Sequence, residues 1–159
     1  MQPRKAMVPC FIAFLLILGI SPVAYASHST PFNGSFSGPF TVAFGKTTAT
    51  VHFSGEGIAS HLGQSDITGT VTVVLSTLVG TSTDTKITAA DGDQLFLTTV
   101  ASEHFTSAST IALSGTYTIT GGTGHLADAT GSGTLSGTVF ITGPASGTVS
   151  ETFSGTITE

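Results

Sequence analysis

The chain is poor in positive charge, in cysteine and in long apolar runs. It holds four Lys or Arg in 159 residues, and two of these, Arg4 and Lys5, lie at the extreme N-terminus. From residue 27 onward only Lys46 and Lys86 face nine acidic residues. Two lysines and no arginine cannot neutralise a phosphate backbone, so nucleic acid is excluded as a partner. An anionic membrane surface is disfavoured for the same reason. The single cysteine, Cys10, precedes every segment that can fold into a domain, so no disulfide is available and the fold must rest on its own core. Leu, Ile, Val and Phe form about a quarter of residues 27–159, above the ~20% below which disorder is expected.

The one extended apolar run is Phe11–Ile20. It follows Arg4 and Lys5 and is followed by Pro22 and by small residues at Ala24 and Ala26. This is the layout of a secretory signal peptide, residues 1–26, cleaved between Ala26 and Ser27. A spanning helix needs about 20 apolar residues, more than this run supplies. Cys10 lies before the run, whereas a lipid-modified cysteine would follow it. The expected product is a single exported domain, residues 27–159, extracellular or periplasmic, with no membrane span.

Ser, Thr and Gly make up half of that domain, a composition that by itself suggests a disordered tail. Periodicity points elsewhere. Ala49, Val51 and Phe53 alternate with Thr50, His52 and Ser54. The same period of two sets Ile67, Val71, Val73 and Leu75 on one face, as it does Ile111, Leu113, Tyr117 and Ile119, then Leu135, Val139 and Ile141, then Val149, Phe153 and Ile157. Alternation of this kind marks strands buried on one side, and threonine suits the solvent side of a pleat. Eight strands are expected: Asn33–Phe44, Thr48–Ser60, Asp66–Leu75, Ser82–Ala89, Gln94–Val100, Thr110–Ile119, Gly131–Thr142 and Gly147–Thr158. Short turns such as Phe44–Lys46 and Ala90–Asp93 make neighbours antiparallel. "FSG" and "LSG" phrases recur at irregular gaps, which excludes a solenoid. Inward glycines that let strands coil suit a closed barrel. The predicted fold is therefore all-β, a single eight-stranded antiparallel β-barrel preceded by a signal peptide helix. An open sandwich is the structural alternative.

The stretch "TGGTGHLADATGSGT" (Thr120–Thr134) matches G-x-G-x-x-A at Gly122–Ala127. A dinucleotide fingerprint also requires a long helix, a parallel strand and an acidic residue about 20 positions on. Here strand alternation resumes at Gly131, and no carboxylate stands near residue 142. The stretch reads instead as a corner. Gly121 and Gly122 turn the chain, Thr123 caps one short helical turn near residues 124–129, and Leu126 with Ala129 plugs a barrel end.

"TITGGTGHLADATGSGTLSG" (Thr118–Gly137) resembles the "GGTG-x-(F/L)-x-x-A-x-G" segment of the allene oxide cyclase and dirigent barrel families and of bacterial exported proteins with similar domains. "FSGEGIASHLG" (Phe53–Gly63) and "AADGDQLFL" (Ala89–Leu97) resemble further segments of the bacterial relatives. The resemblance covers under half of the domain. It implies an eight-stranded antiparallel barrel, and for its plant members a cyclase or a guide of radical coupling that holds substrate in or at the barrel mouth. His125 stands where the family segment often carries a basic residue, and no family catalytic residue maps onto this chain.

Other chemistry is sparse. Glu56, His61 and Asp66 are five apart around an expected bulge at "GEG" and form a candidate polar cluster at a barrel rim. Asp91 and Asp93, with Asp84 or Glu103, are a conceivable calcium set, but the twelve-residue calcium loop is missing and a hairpin turn explains them. Five histidines show no zinc spacing, no serine sits in G-x-S-x-G, and Asn33-Gly34-Ser35 is a glycosylation sequon. No metal and no cofactor is expected. The expected partner is one small apolar molecule, held by the inward residues Phe36, Phe40, Val51, Phe53, Val71, Val73, Tyr117 and Ile119. A barrel filled by its own side chains, or a cyclase or isomerase, are the competing readings, since eight strands enclose either a filled core or one small ligand.

Overall fold

The computed structural model describes residues 28–159 as eight strands: β1 Ser29–Phe44, β2 Thr48–Ala59, β3 Gly63–Val74, β4 Val79–Ala89, β5 Gln94–Phe105, β6 Thr110–Gly122, β7 Thr130–Gly143 and β8 Ser146–Thr158. The expected signal peptide lies outside the described residues. Each strand pairs antiparallel with its sequence neighbour, and β8 closes on β1 from Ser29↔Thr158 to Thr41↔Ser146. The sheet is thus a closed barrel, and the sandwich alternative falls away. Most strands run longer than alternation of apolar residues suggests, and the extension of β1 brings Phe32 into the core.

Alternation sets the inside of the barrel. Even-numbered residues of β1 and odd-numbered residues of β2, β3 and β5 to β8 point inward, which buries Phe32, Phe36, Ile67, Leu95, Leu97, Tyr117, Phe153 and Ile157. β4 changes parity at one place. Ser82 and Thr85 are both buried, and the register slips by one residue against β3 and β5 between them. The extra residue is a bulge at Thr83–Asp84. Its carboxylate fills the gap in the ladder: Asp84 accepts hydrogen bonds from the Thr70 N–H at 2.8 Å and from the Ser82 hydroxyl at 3.0 Å. The bulge expected at "GEG" does not exist, since β2 keeps continuous register with β1 and β3 through Gly55–Gly57. Glycine serves there a different end. A Cβ at Gly57 would run into the Ser35 carbonyl and the Phe36 ring, so its absence lets the two strands close on that ring.

The barrel is filled at one end only. At that end the β6–β7 connection folds inward through a short 3-10 turn, Gly124–Leu126, which sets Leu126 and Ala129 fully inside. Leu62 from the β2–β3 turn adds to the plug. Above it, Tyr117 packs edge-on against Phe153 and tilted against Phe32 at ring distances of 5.5 and 5.9 Å, and Phe153 packs edge-on against Phe36 at 6.1 Å. A Cβ at Gly133 would stand 2.7 Å from the Tyr117 ring, and one at Gly155 would stand 2.6 Å from the Tyr117 hydroxyl oxygen. Glycines on β7 and β8 thereby make room for an aromatic on β6.

Candidate functional site

The glycine-rich corner is built around a carboxylate of the protein itself. Gly124 takes a positive φ of 59°, and the Asp93 carboxylate lies on the side of that residue where a Cβ would be. Asp93 also accepts from the His125 N–H at 3.4 Å and contacts the His125 ring nitrogen Nδ1. The Thr123 hydroxyl does not cap the turn. It accepts from the Gln94 N–H at 2.8 Å, while Gln94 O accepts from the Thr123 N–H at 2.8 Å, clamping the corner to β5. An internal carboxylate thus occupies the corner where a bound phosphate would be sought. The conceivable calcium set is dispersed: Asp93 is held by His125, Asp84 sits in the β4 bulge, and Glu103 faces the barrel interior. Among the described residues no group of three His, Cys, Asp or Glu is placed to hold a metal.

The polar trio is also divided. Glu56 and Asp66 are cross-strand partners on the outer face of β2 and β3, both exposed. His61 occupies the β2–β3 turn at the plugged end with a φ of 70°. There it pairs with Glu159 at 2.9 Å and contacts the Thr30 hydroxyl at 3.2 Å and the Pro31 carbonyl at 3.3 Å, linking the two terminal strands. The turn and the opposite strand directions bring Glu56 and Asp66 side by side, and leave His61 at the turn itself, turned towards Glu159.

The barrel interior opposite the plug holds a cavity of about 220 Å³. All eight strands line it. Phe40, Val51, Phe53, Val71 and Val73 are on its wall, whereas Phe36, Tyr117 and Ile119 belong to the packed half below. All eight side chains share the inward parity. Depth along the barrel separates them, and depth depends on strand stagger, which alternation does not encode. Small inward residues keep the upper half open: Ala49, Gly80, Thr99 and Ala101 stand where the lower half has Phe, Tyr and Leu. Phe44, Leu75 and Phe105 form an apolar rim at the mouth, with Phe44 65% exposed.

Two carboxyls interrupt this apolar wall. Among the described residues, Glu103 on β5 and Glu151 on β8 are the only titratable residues of the lining, and no Lys, Arg or His joins them. They share one cross-strand row, Glu103↔Leu113↔Gly137↔Glu151. Two strands, β6 and β7, stand between them, three steps of eight around the barrel, so their side chains enter the lumen from nearly opposite sides. Glu151 rests over Gly137, where a Cβ would lie 3.2 Å from its Cγ. Glu151 is half-buried and lines the cavity. Desolvation pushes its carboxyl up to about 7 and raises that of Glu103 as well. Glu151 does not figure among the sequence-derived site candidates and Glu103 does so only as a possible calcium ligand, although both carry a signal for the barrel interior. Glu151 falls between Val149 and Phe153, and Glu103 between Ala101 and Phe105, on the apolar parity of their strands. A charged residue at an inward position of a barrel strand is the pattern to look for.

Comparison of the chain with protein-family models, with curated proteins and with solved structures finds no match.

Proposed function

We propose that this chain is an exported barrel that binds one small, largely apolar molecule in the half of its interior that its own side chains leave open. The observation that carries the reading is the cavity of about 220 Å³, walled by Phe, Val, Ile and Leu and open at one end. An apolar cavity of about 150 Å³ is enough to hold benzene, so a ligand of one or two rings, or a short chain with a ring, suits this one. Concave, mostly apolar sites with few polar groups are the usual form of small-molecule sites. The Arg4–Ala26 pattern supports export, and the resemblance of Thr118–Gly137 to allene oxide cyclase and dirigent barrels supports a ligand held at the mouth. A cyclase or isomerase is the second reading, favoured by one observation: two carboxyls with raised pKa converge on the same cavity.

The test is a titration of the chain beginning at Ser27 with an apolar fluorescent probe, followed by displacement with small phenolics and fatty acids. Saturable one-to-one uptake is expected. Val139→Trp, which fills the cavity from β7, should weaken it at least tenfold while circular dichroism stays β-rich. A folded wild-type protein that takes up no probe would overturn the reading in favour of a purely structural barrel. Turnover of a displacing compound, absent in Glu151→Gln, would favour the second reading.

A further inference from the structure

We infer that the cavity selects apolar primary amines, with the ammonium group held between Glu103 and Glu151 and the apolar body against the valine and phenylalanine wall. The inference rests on the reading of the cavity as a ligand site and adds the charge of its ligand. Both carboxyls reach the lumen from one cross-strand row and from nearly opposite sides. Among the described residues Glu151 has no side-chain partner, and desolvation raises its pKa with no hydrogen bond or countercharge there to offset it. β1 and β7, the strands that pair with β8, set Phe36 and Gly137 beside it. The other titratable groups of the interior are Glu103 across the cavity and the Tyr117 hydroxyl in the packed half below. Lys46 and Lys86 are not part of the lining.

Such a wall discriminates by charge. An ammonium brings three donors and a positive charge to acceptor-only groups. Its pairing with a desolvated carboxylate is a charge-assisted hydrogen bond in a medium of low dielectric. A carboxylate ligand of the same shape meets like charge with no cation among the described lining residues to offset it, and a neutral alcohol donates a single hydrogen bond without bringing a countercharge. The nine acidic residues against two lysines of the domain attract cations at longer range in the same sense. Binding an ammonium requires Glu151 ionised, so below neutral pH it must expel the proton that desolvation holds there.

The experiment compares three probes of one shape, 4-phenylbutylamine, 4-phenylbutanol and 4-phenylbutanoate, by isothermal titration calorimetry on the chain beginning at Ser27. At pH 8 the amine is expected to bind at least tenfold more tightly than the alcohol, and the carboxylate more weakly than both. Between pH 5.5 and 7 the affinity for the amine should rise by up to about tenfold per pH unit, and heats measured in buffers of different ionisation enthalpy should show protons released on binding. Glu151→Gln should bring the amine-to-alcohol ratio close to one and abolish the proton release. Glu103→Gln provides a second reading of that ratio should Glu151→Gln lose its β-rich spectrum. An alcohol that binds as tightly as the amine, or a carboxylate that binds best, overturns the charge selection and leaves the apolar site standing. Failure of all three probes to bind the folded protein overturns both.

Discussion

Tyr117 is fully buried between Phe32 and Phe153, and its hydroxyl has no hydrogen-bond partner among the described residues. Burying a hydroxyl unpaired costs about 1–3 kcal/mol, and burial also raises its pKa. The ring, in contrast, fills the space that Gly133 leaves open, while the hydroxyl oxygen lies over Gly155. Tyr117→Phe keeps the ring and removes the unpaired oxygen. It should therefore stabilise the protein by about 1 kcal/mol, read as a higher urea midpoint at an unchanged slope. A loss of stability would mean that the hydroxyl is satisfied in solution, by a water molecule in the packed half. Opposite effects from ring and hydroxyl show why an inward tyrosine in a sequence does not by itself mark a site: Tyr117 has the parity of a ligand contact and the surroundings of a core residue.

Among the elements, the β6–β7 connection decides which half of the barrel is filled. Leu126 is fully buried at its centre, held by a clamp of two hydrogen bonds between Thr123 and Gln94. Leu126→Ala removes a buried side chain and leaves a hole in the plug, at an expected cost of about 2–5 kcal/mol. Denaturant unfolding measures it, and a cost below 1 kcal/mol would show that the corner is not part of the cooperative core. The presence of eight strands was legible because Thr and Ser alternate with Val, Ile and Phe through nearly every one of them. The inward fold of Leu126 and Ala129 was legible because two apolar residues interrupt a Gly-rich stretch. The bulge at Thr83–Asp84 was not, since "TSTDTK" reads as uninterrupted alternation and only the ladder reveals the extra residue. At "GEG" the opposite error arises: glycine is taken for a bulge where it only admits close strand approach. Of the site, the apolar wall was legible from parity at Phe40, Val51, Phe53, Val71 and Val73. Its floor was not, because Phe36 and Phe40 look alike in sequence and differ only in their height in the barrel.

The interior of the whole molecule is divided into a packed half and an open half. One half is packed with aromatic and aliphatic side chains, and the other keeps an apolar wall with two desolvated carboxyls. No cysteine beyond Cys10 is available to offset the cost of that open half. The division should be visible in the pH dependence of stability. A carboxyl whose pKa is higher in the folded than in the unfolded state binds its proton more tightly when folded. Its contribution is fully present below its ordinary value and is lost as pH rises through the folded one. For Glu151 that window runs from 4.5 to about 7, and the difference corresponds to about 3 kcal/mol at most. Glu103 acts in the same direction. Asp84 acts in the opposite one. Desolvation pushes its carboxyl up, but hydrogen bonds from Thr70 and Ser82 outweigh that and hold it below its ordinary 3.8, so its contribution is lost only in stronger acid. Stability should thus be greatest near pH 4.5, fall towards neutrality and level off above about 7. Glu151→Gln should flatten most of the fall and leave the protein more stable than the wild type at pH 8, the two converging near pH 4.5. Urea unfolding across this range measures both curves. A wild-type curve that is flat or rises from pH 5 to 8 would mean that water reaches Glu151 freely, and the carboxyl would then lose the desolvation on which charge selection in the cavity depends.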